Sequence, residues 1–289
     1  MFILRGSRII LAFAIATFLI LCQTGFSSFG QTPGADGAQS ASSGLNAGQE
    51  LNLGVDSYKT AHYDEAITHF RRALELNPKS HVAKIYLATA LAQNVMPGLD
   101  TPDNLKIAQE AIDIFLQVLE SDPHDVNSMK QVAGICYQIK KLDNAKAWQK
   151  NVLDQNPNDP EAAYTIGVID WEQAHQNKLK ALGAAGFVND GQGNVEAPGR
   201  VMEQLISQNK ALVDEGLKYL TMAINNRANY DEAMAYLNLM YRNKADVDYG
   251  NPDAVKADIA AADGWTIKAM ETRKKNESSR QPSPASGQP

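Results

Sequence analysis

Residues 52–80 read NLGVDSYKTAHYDEAITHFRRALELNPKS, and the spacing within them decides the fold class. Gly54, Ala66, Phe70, Ala73 and Pro78 stand 12, 4, 3 and 5 residues apart. Ala66, Ile67, Phe70, Ala73 and Leu74 recur at three and four residues, which puts them on one face of an α-helix. Pro78 stops that helix, since proline lacks an N–H and clashes with the preceding turn. Gly54, with no side chain, lets an earlier helix pass close to this one. The stretch is therefore two antiparallel helices, 48–60 and 63–76.

The ladder recurs. Ala133, Ala145, Val152 and Pro157 give steps of 12, 7 and 5, with Gln149 where Phe70 would fall. Ala111, Phe115, Val118 and Pro123 give 4, 3 and 5, and Pro123 to Pro157 is 34 residues. A helix pair of this size has too small a core to stand alone, so successive pairs must stack. Start signals agree. Thr101-Pro102-Asp103, Asn158-Asp159-Pro160 and Asn251-Pro252-Asp253 place a capping side chain beside a proline at a helix start. These signals predict four further pairs: 80–94 with 102–120, 125–140 with 143–155, 159–182 with 200–226, and 229–243 with 252–275. No segment alternates as a strand does.

This ladder resembles the tetratricopeptide repeat: a small residue in the first helix, an Ala–aromatic–Ala run in the second, a closing proline. Glu50 stands where the family's Trp is expected. The resemblance covers about 47–243 and extends towards 275. It implies an all-α fold, a right-handed α-solenoid of about five antiparallel helix pairs, whose first helices line a concave groove for protein or peptide partners. Carried onto the groove-facing places, it implies Tyr58 and Lys59, Gln93, then Asn127, Lys130, Tyr137 and Gln138. The fourth pair adds Tyr164, Trp171 and Glu172, and the fifth Arg242 and Asn243. Tyr58, Tyr137, Tyr164 and Trp171 would form an aromatic stripe, although Tyr164 and Trp171 fit packing against the long inserted helix equally well. Lys59, Asn127 and Lys130 do not reproduce the array with which some members clamp a C-terminal carboxylate. The last helix, with Trp265 and a charged side, suits a solenoid cap.

Two pairs depart from the plain repeat. Ala88 to Ala111 spans 23 residues and Gly167 to Gly216 spans 49, where the ladder needs 12. The second excess contains the loop 183–199, GAAGFVNDGQGNVEAPG. Gly186 and Gly191 have the first spacing of a phosphate-binding loop, but Gln192 stands where Lys is required and no strand precedes it. Asp190 and Glu196 lack the alternating carboxylates of a calcium loop. The expectation is a mobile protrusion or a partner-contacting arm.

The ends differ from the middle. Arg5 and Arg8 precede an apolar run, Ile9 to Cys22, that is short for a spanning helix and has the make-up of a secretory signal. The expected layout is a signal at 1–30, a flexible linker at 31–46, the repeat domain at 47–275 and a disordered tail at 276–289. Cleavage before Gln31 or, alternatively, after Ser27, lipidation at Cys22 and retention as an anchor are the fates open to the signal. Removing 1–30 takes away two Arg and no acid, which moves the formal charge from −6 to −8.

The 289 residues carry 27 basic and 33 acidic side chains, with 44% apolar residues. That is globular composition without the basic face of a nucleic-acid binder. The five histidines have no metal-ligand spacing. Cys136 falls at an inward apolar place near Val132 and Ile139 and reads as core. No nucleophile or carboxylate pair stands in a catalytic arrangement. The expectation is a non-catalytic scaffold without metal or cofactor, exported to the periplasm or cell envelope. The alternative is a membrane-tethered assembly subunit, similar to pilotins and outer-membrane assembly lipoproteins.

Overall fold

The computed structural model describes residues 44–280. The expected signal, Cys22, most of the linker and residues 281–289 lie outside the described residues. Within them the chain forms ten helices and no strand. They are α1 (Ala47–Lys59), α2 (Tyr63–Leu76), α3 (His81–Gln93), α4 (Pro102–Ser121), α5 (Val126–Gln138), α6 (Leu142–Gln155), α7 (Pro160–Ala184), α8 (Gly199–Asn226), α9 (Asp231–Val247) and α10 (Pro252–Arg280). Each helix packs on the next in sequence, and α7 also reaches α9. Contacts that stay local along the chain are those of an α-solenoid.

Side chains set the helix starts. Asn46 forms a reciprocal capping box with Gln49: each side chain accepts from the other's backbone N–H at 2.9 Å. Ser80, Thr101, Asp125 and Asp159 cap α3, α4, α5 and α7, and Pro102 and Pro160 occupy first helical positions. The turns inside the first and third pairs have one geometry. Ala61 and Lys140 both take φ +61°, and the next residue's N–H returns to a carbonyl five residues back: His62 to Ser57 and Lys141 to Cys136, each at 2.9 Å. This left-handed closure recovers helix-end carbonyls.

The ladder residues are the core. Ala66, Phe70, Ala73, Ala111, Phe115, Ala145 and Val152 are buried. A Cβ added at Gly54 would run into the Phe70 ring, so glycine is what brings α1 against α2. Cys136 is buried as expected. The core is a ribbon in two main clusters, Ala66 to Ile169 and Ala163 to Ala269, which overlap at α7.

Two boundaries and one loop differ from expectation. Helix α9 runs to Val247 rather than 243, and α10 runs to Arg280, so residues 276–280 of the expected tail are helical. Asn276 anchors that extension, donating from Nδ2 to Asp231 at 2.8 Å and to the Asn229 carbonyl at 2.9 Å. The 183–199 loop lies docked on α9 instead of protruding. The 94–100 loop is pinned by Asn104, which donates to the Met96 and Leu99 carbonyls and accepts from the Met96 N–H.

Candidate functional site

Within each pair the first helix, α1, α3, α5, α7 or α9, lies on one side of the stack and the second on the other. Direct α1–α3, α3–α5 and α7–α9 contacts set first helices side by side. The residues expected to line it divide into two groups.

In the first three pairs they sit at the surface. Tyr58, Gln93, Tyr137 and Gln138 are partly exposed, and Lys59 and Asn127 are exposed. Tyr58 packs at the edge of the core with its ring 5.4 Å from Tyr63. Lys59 makes only a solvent-exposed pair with Asp56 at 3.8 Å. The buried Oε1 of Gln138 has no partner, while its main-chain carbonyl accepts from Gly98 at 2.9 Å.

In the last two pairs the expected stripe is consumed by packing. Tyr164 and Trp171 are each 8% exposed. Tyr164 lies 4.9 Å from Tyr230 and 5.7 Å from Tyr236, and Trp171 meets Tyr236 edge-on at 5.2 Å. His175 stacks on Trp171 at 5.0 Å. Burial, and then the Lys178 charge, lowers the His175 pKa. Tyr164 and Trp171 are thus joints between α7 and the start of α9, in one core with Val213, Leu220 and Ala223 of the long α8, and not an open stripe.

Ion pairs close the seam between α5 and α7. Lys130 Nζ reaches Asp159 at 2.6 Å and Glu161 at 3.4 Å, and Arg227 completes the group on Glu161. Glu172 accepts from the Tyr137 hydroxyl at 3.0 Å and from Lys140 at 2.7 Å. Burial, reinforced by Glu172, pushes the Tyr137 phenol far above its usual range, so it remains a donor. Lys130 and Tyr137 therefore tie neighbouring pairs together.

Arg242 is held on three sides. Its guanidinium donates to Asn238 at 3.1 Å, to the Gly191 carbonyl at 2.9 Å and to Asp263 at 2.7 Å. Asn243 is buried and accepts from Lys178 at 2.7 Å. Tyr230, Tyr236, Arg227 and Lys178 were not legible as site residues. One signal was available: Tyr230 and Tyr236 stand six apart on the helix facing Tyr164 and Trp171, which stand seven apart.

Away from this face, α6, α7 and α8 enclose an open cleft of about 370 Å³ lined by Lys140, Asp143, Lys146, Gln173, Asn177 and Leu212. Behind it Lys146 joins Asp170 at 2.7 Å and Glu215 at 3.0 Å. Among the described residues no group of three or more His, Cys, Asp or Glu side chains could hold a metal ion.

Residues 51–80 match the family model described as tetratricopeptide repeat. No curated protein matches the chain. Solved structures do. One described as the crystal structure of MamA protein is 13% identical, with a TM-score of 0.51, covering 82% of this chain and 97% of its own. MamA 41-end from Desulfovibrio magneticus RS-1 is 16% identical with a TM-score of 0.52, covering 80% and 97%. A MamA RS-1 double mutant is 16% identical with a TM-score of 0.53, covering 81% and 98%. Identities this low speak for the fold alone. Residues 51–80 match the family's own repeat pattern, and the same paired helices continue from Ala47 to Arg280; the fold is the all-α solenoid of tetratricopeptide-repeat structures.

Proposed function

We propose that the protein is an exported, non-catalytic scaffold that holds an extended protein or peptide partner against the concave face of its first three helix pairs. One observation carries the reading. The expected groove-facing places are partly exposed at Tyr58, Gln93, Tyr137 and Gln138 but filled by self-packing at Tyr164 and Trp171. Aromatic rings give contact area at low entropic cost, and amides satisfy the backbone of an extended chain. Export rests on the basic start and the apolar run 9–22.

The test is site-specific photo-crosslinking in intact cells, with the probe at Gln93 on the concave face or at Glu120 on the outer helix α4. The expected result is a discrete adduct from 93 that is absent from 120 and is lost in a Tyr137→Ala background. Equal labelling from both positions refutes the groove. Mass spectrometry of the mature N-terminus tests export, and Gln31 is the expected first residue. A lipid on Cys22 or an intact residue 1 would instead favour the tethered assembly subunit.

A further inference from the structure

The α7–α8 insertion ends on the face of α9 that the second helices leave open. Ala235, Asn238, Leu239 and Arg242 lie partly exposed on that face, and the loop crosses its last turn. The contacts there are those a bound peptide would make. Arg242 donates to the main-chain carbonyl of Gly191 at 2.9 Å, and the Asn194 carboxamide donates to Asp246 Oδ1 at 2.6 Å. Below them Lys178 and Asp246 form an ion pair at 2.9 Å with side chains 3% and 2% exposed. Asn243 is buried beside them with its Nδ2 unpartnered. A buried charge pair with a spare donor is costly as packing alone, whereas it is the kind of polar set that reads a ligand.

The loop's own construction fits a displaceable occupant. Its apolar side chains turn outward: Val188 is 89% exposed, and Phe187 and Val195 are exposed too. Its shape is set internally. Asp190 accepts from the N–H groups of Gln192 and Asn194 at 2.7 and 3.0 Å, and Asn189 accepts from Gly191 at 3.1 Å. Gly193, at φ +95°, brings the backbone against Val255 and Ala245, where a side chain would clash. Between Phe187 and Val195 the grip on α9 is thus polar and narrow, without a hydrophobic anchor; the apolar anchor, Ala197 with Leu182 and Met202, lies outside it.

We propose that residues 187–195 are a tethered stand-in ligand, and that the Arg242–Asp246 site beneath them is a subsite for a peptide presenting a main-chain carbonyl and a carboxamide. The proposal rests on the groove reading and places its C-terminal end under intramolecular competition. A partner lying along the first three pairs extends onto α9 only by displacing the loop.

The test uses a chain whose residues 187–195 are replaced by a short Gly-Ser linker, with a fluorescein-labelled peptide of residues 185–198 as probe. Saturable binding to the shortened chain is expected, and it is weaker by about tenfold or more to the full chain, where the tethered copy competes at about millimolar effective concentration. Asn194→Ala in the peptide weakens binding about tenfold, since it removes a hydrogen bond to a charged acceptor. Equal binding to both chains, or none to a shortened chain that keeps its helix content, overturns the proposal. If the shortened chain does not fold, hydrogen exchange on full-length Asn194→Ala decides. Amides 187–195 are expected to exchange about tenfold faster with α9 still protected. Unchanged exchange, or exposure of α9 along with the loop, overturns it. The Gln93 crosslink is indifferent to these outcomes, so the two readings fail separately.

Discussion

Replacing Asp170 by Asn tests the electrostatics of the stack. Asp170 is 0% exposed, accepts from Lys146 at 2.7 Å through Oδ1 and leaves Oδ2 without a partner. Burial outweighs the attraction of Lys146 and raises its pKa from 3.8 to about 7. Between about pH 4 and 7 the folded state therefore binds a proton that the unfolded chain has already released, so this residue's contribution to stability falls as pH rises. Each pH unit in that window removes about 1.4 kcal/mol, up to about 4 kcal/mol across it. Asn cannot ionise. Asp170→Asn should match the wild type near pH 4 and exceed it increasingly towards pH 8, by up to about 4 kcal/mol. Glu215 runs the other way: burial opposes its ionisation, but Lys150 and Lys146 outweigh burial and lower its pKa. It is present in both proteins, so the difference between them reports Asp170. Urea unfolding at half-unit steps from pH 4 to 8, with the denaturant slope checked for constancy, measures this. A gap that stays flat with pH, or shrinks as pH rises, refutes the reasoning.

Other consequences follow from the turn and from the close helix contact. Ala61→Gly relieves a left-handed φ that costs a β-carbon residue about 1–2 kcal/mol, less the added entropy of the unfolded chain, for a net gain of about 0.5–1 kcal/mol. A lower unfolding midpoint would contradict that. Gly54→Ala forces the Phe70 ring aside in a packed core and should cost about 1–3 kcal/mol. Gly216→Ala meets chiefly the flexible end of Met240 and should cost less, so thermal midpoints in the reverse order would contradict the packing argument.

The repeat was legible because its residues carry packing rules that act locally. Gly54 with Phe70, the prolines and the capping residues each determine a feature within a few residues of themselves, so helix count and pairing could be read. What could not be read depends on distance. Trp171 and Tyr164 have one appearance in sequence whether they face solvent or an aromatic partner, and the partners, Tyr230 and Tyr236, lie on the next pair. Arg242 reads as a groove cation, yet a carbonyl 51 residues earlier occupies it. The insertion read as mobile because its composition is that of loops, whereas its docking depends on single contacts to Arg242 and Asp246. Asp170 stands where the ladder tolerates many residues, and only the neighbouring Lys146 and Glu215 make its burial consequential.

The two halves of the first-helix face follow from what the first helices present to one another. In the first three pairs the core beneath this face is built of small and aliphatic side chains, such as Ala88, Leu91, Val132 and Ile135, and Tyr58 and Tyr137 pack at its edge with part of each ring exposed. Between α7 and α9 the spacing is filled by four aromatic rings, Tyr164, Trp171, Tyr230 and Tyr236. Pulling a ring from such a cluster forfeits about 0.5–1.5 kcal/mol per aromatic pair beyond its buried area. A partner competing there must match that loss, and beyond it must also break the polar grip of the insertion on α9. A partner on the first three pairs displaces mainly water from half-exposed side chains. Affinity on this molecule should therefore be set by Tyr58, Gln93 and Tyr137, while selectivity at the far end is set by whether a partner's carbonyl and carboxamide can replace those of Gly191 and Asn194.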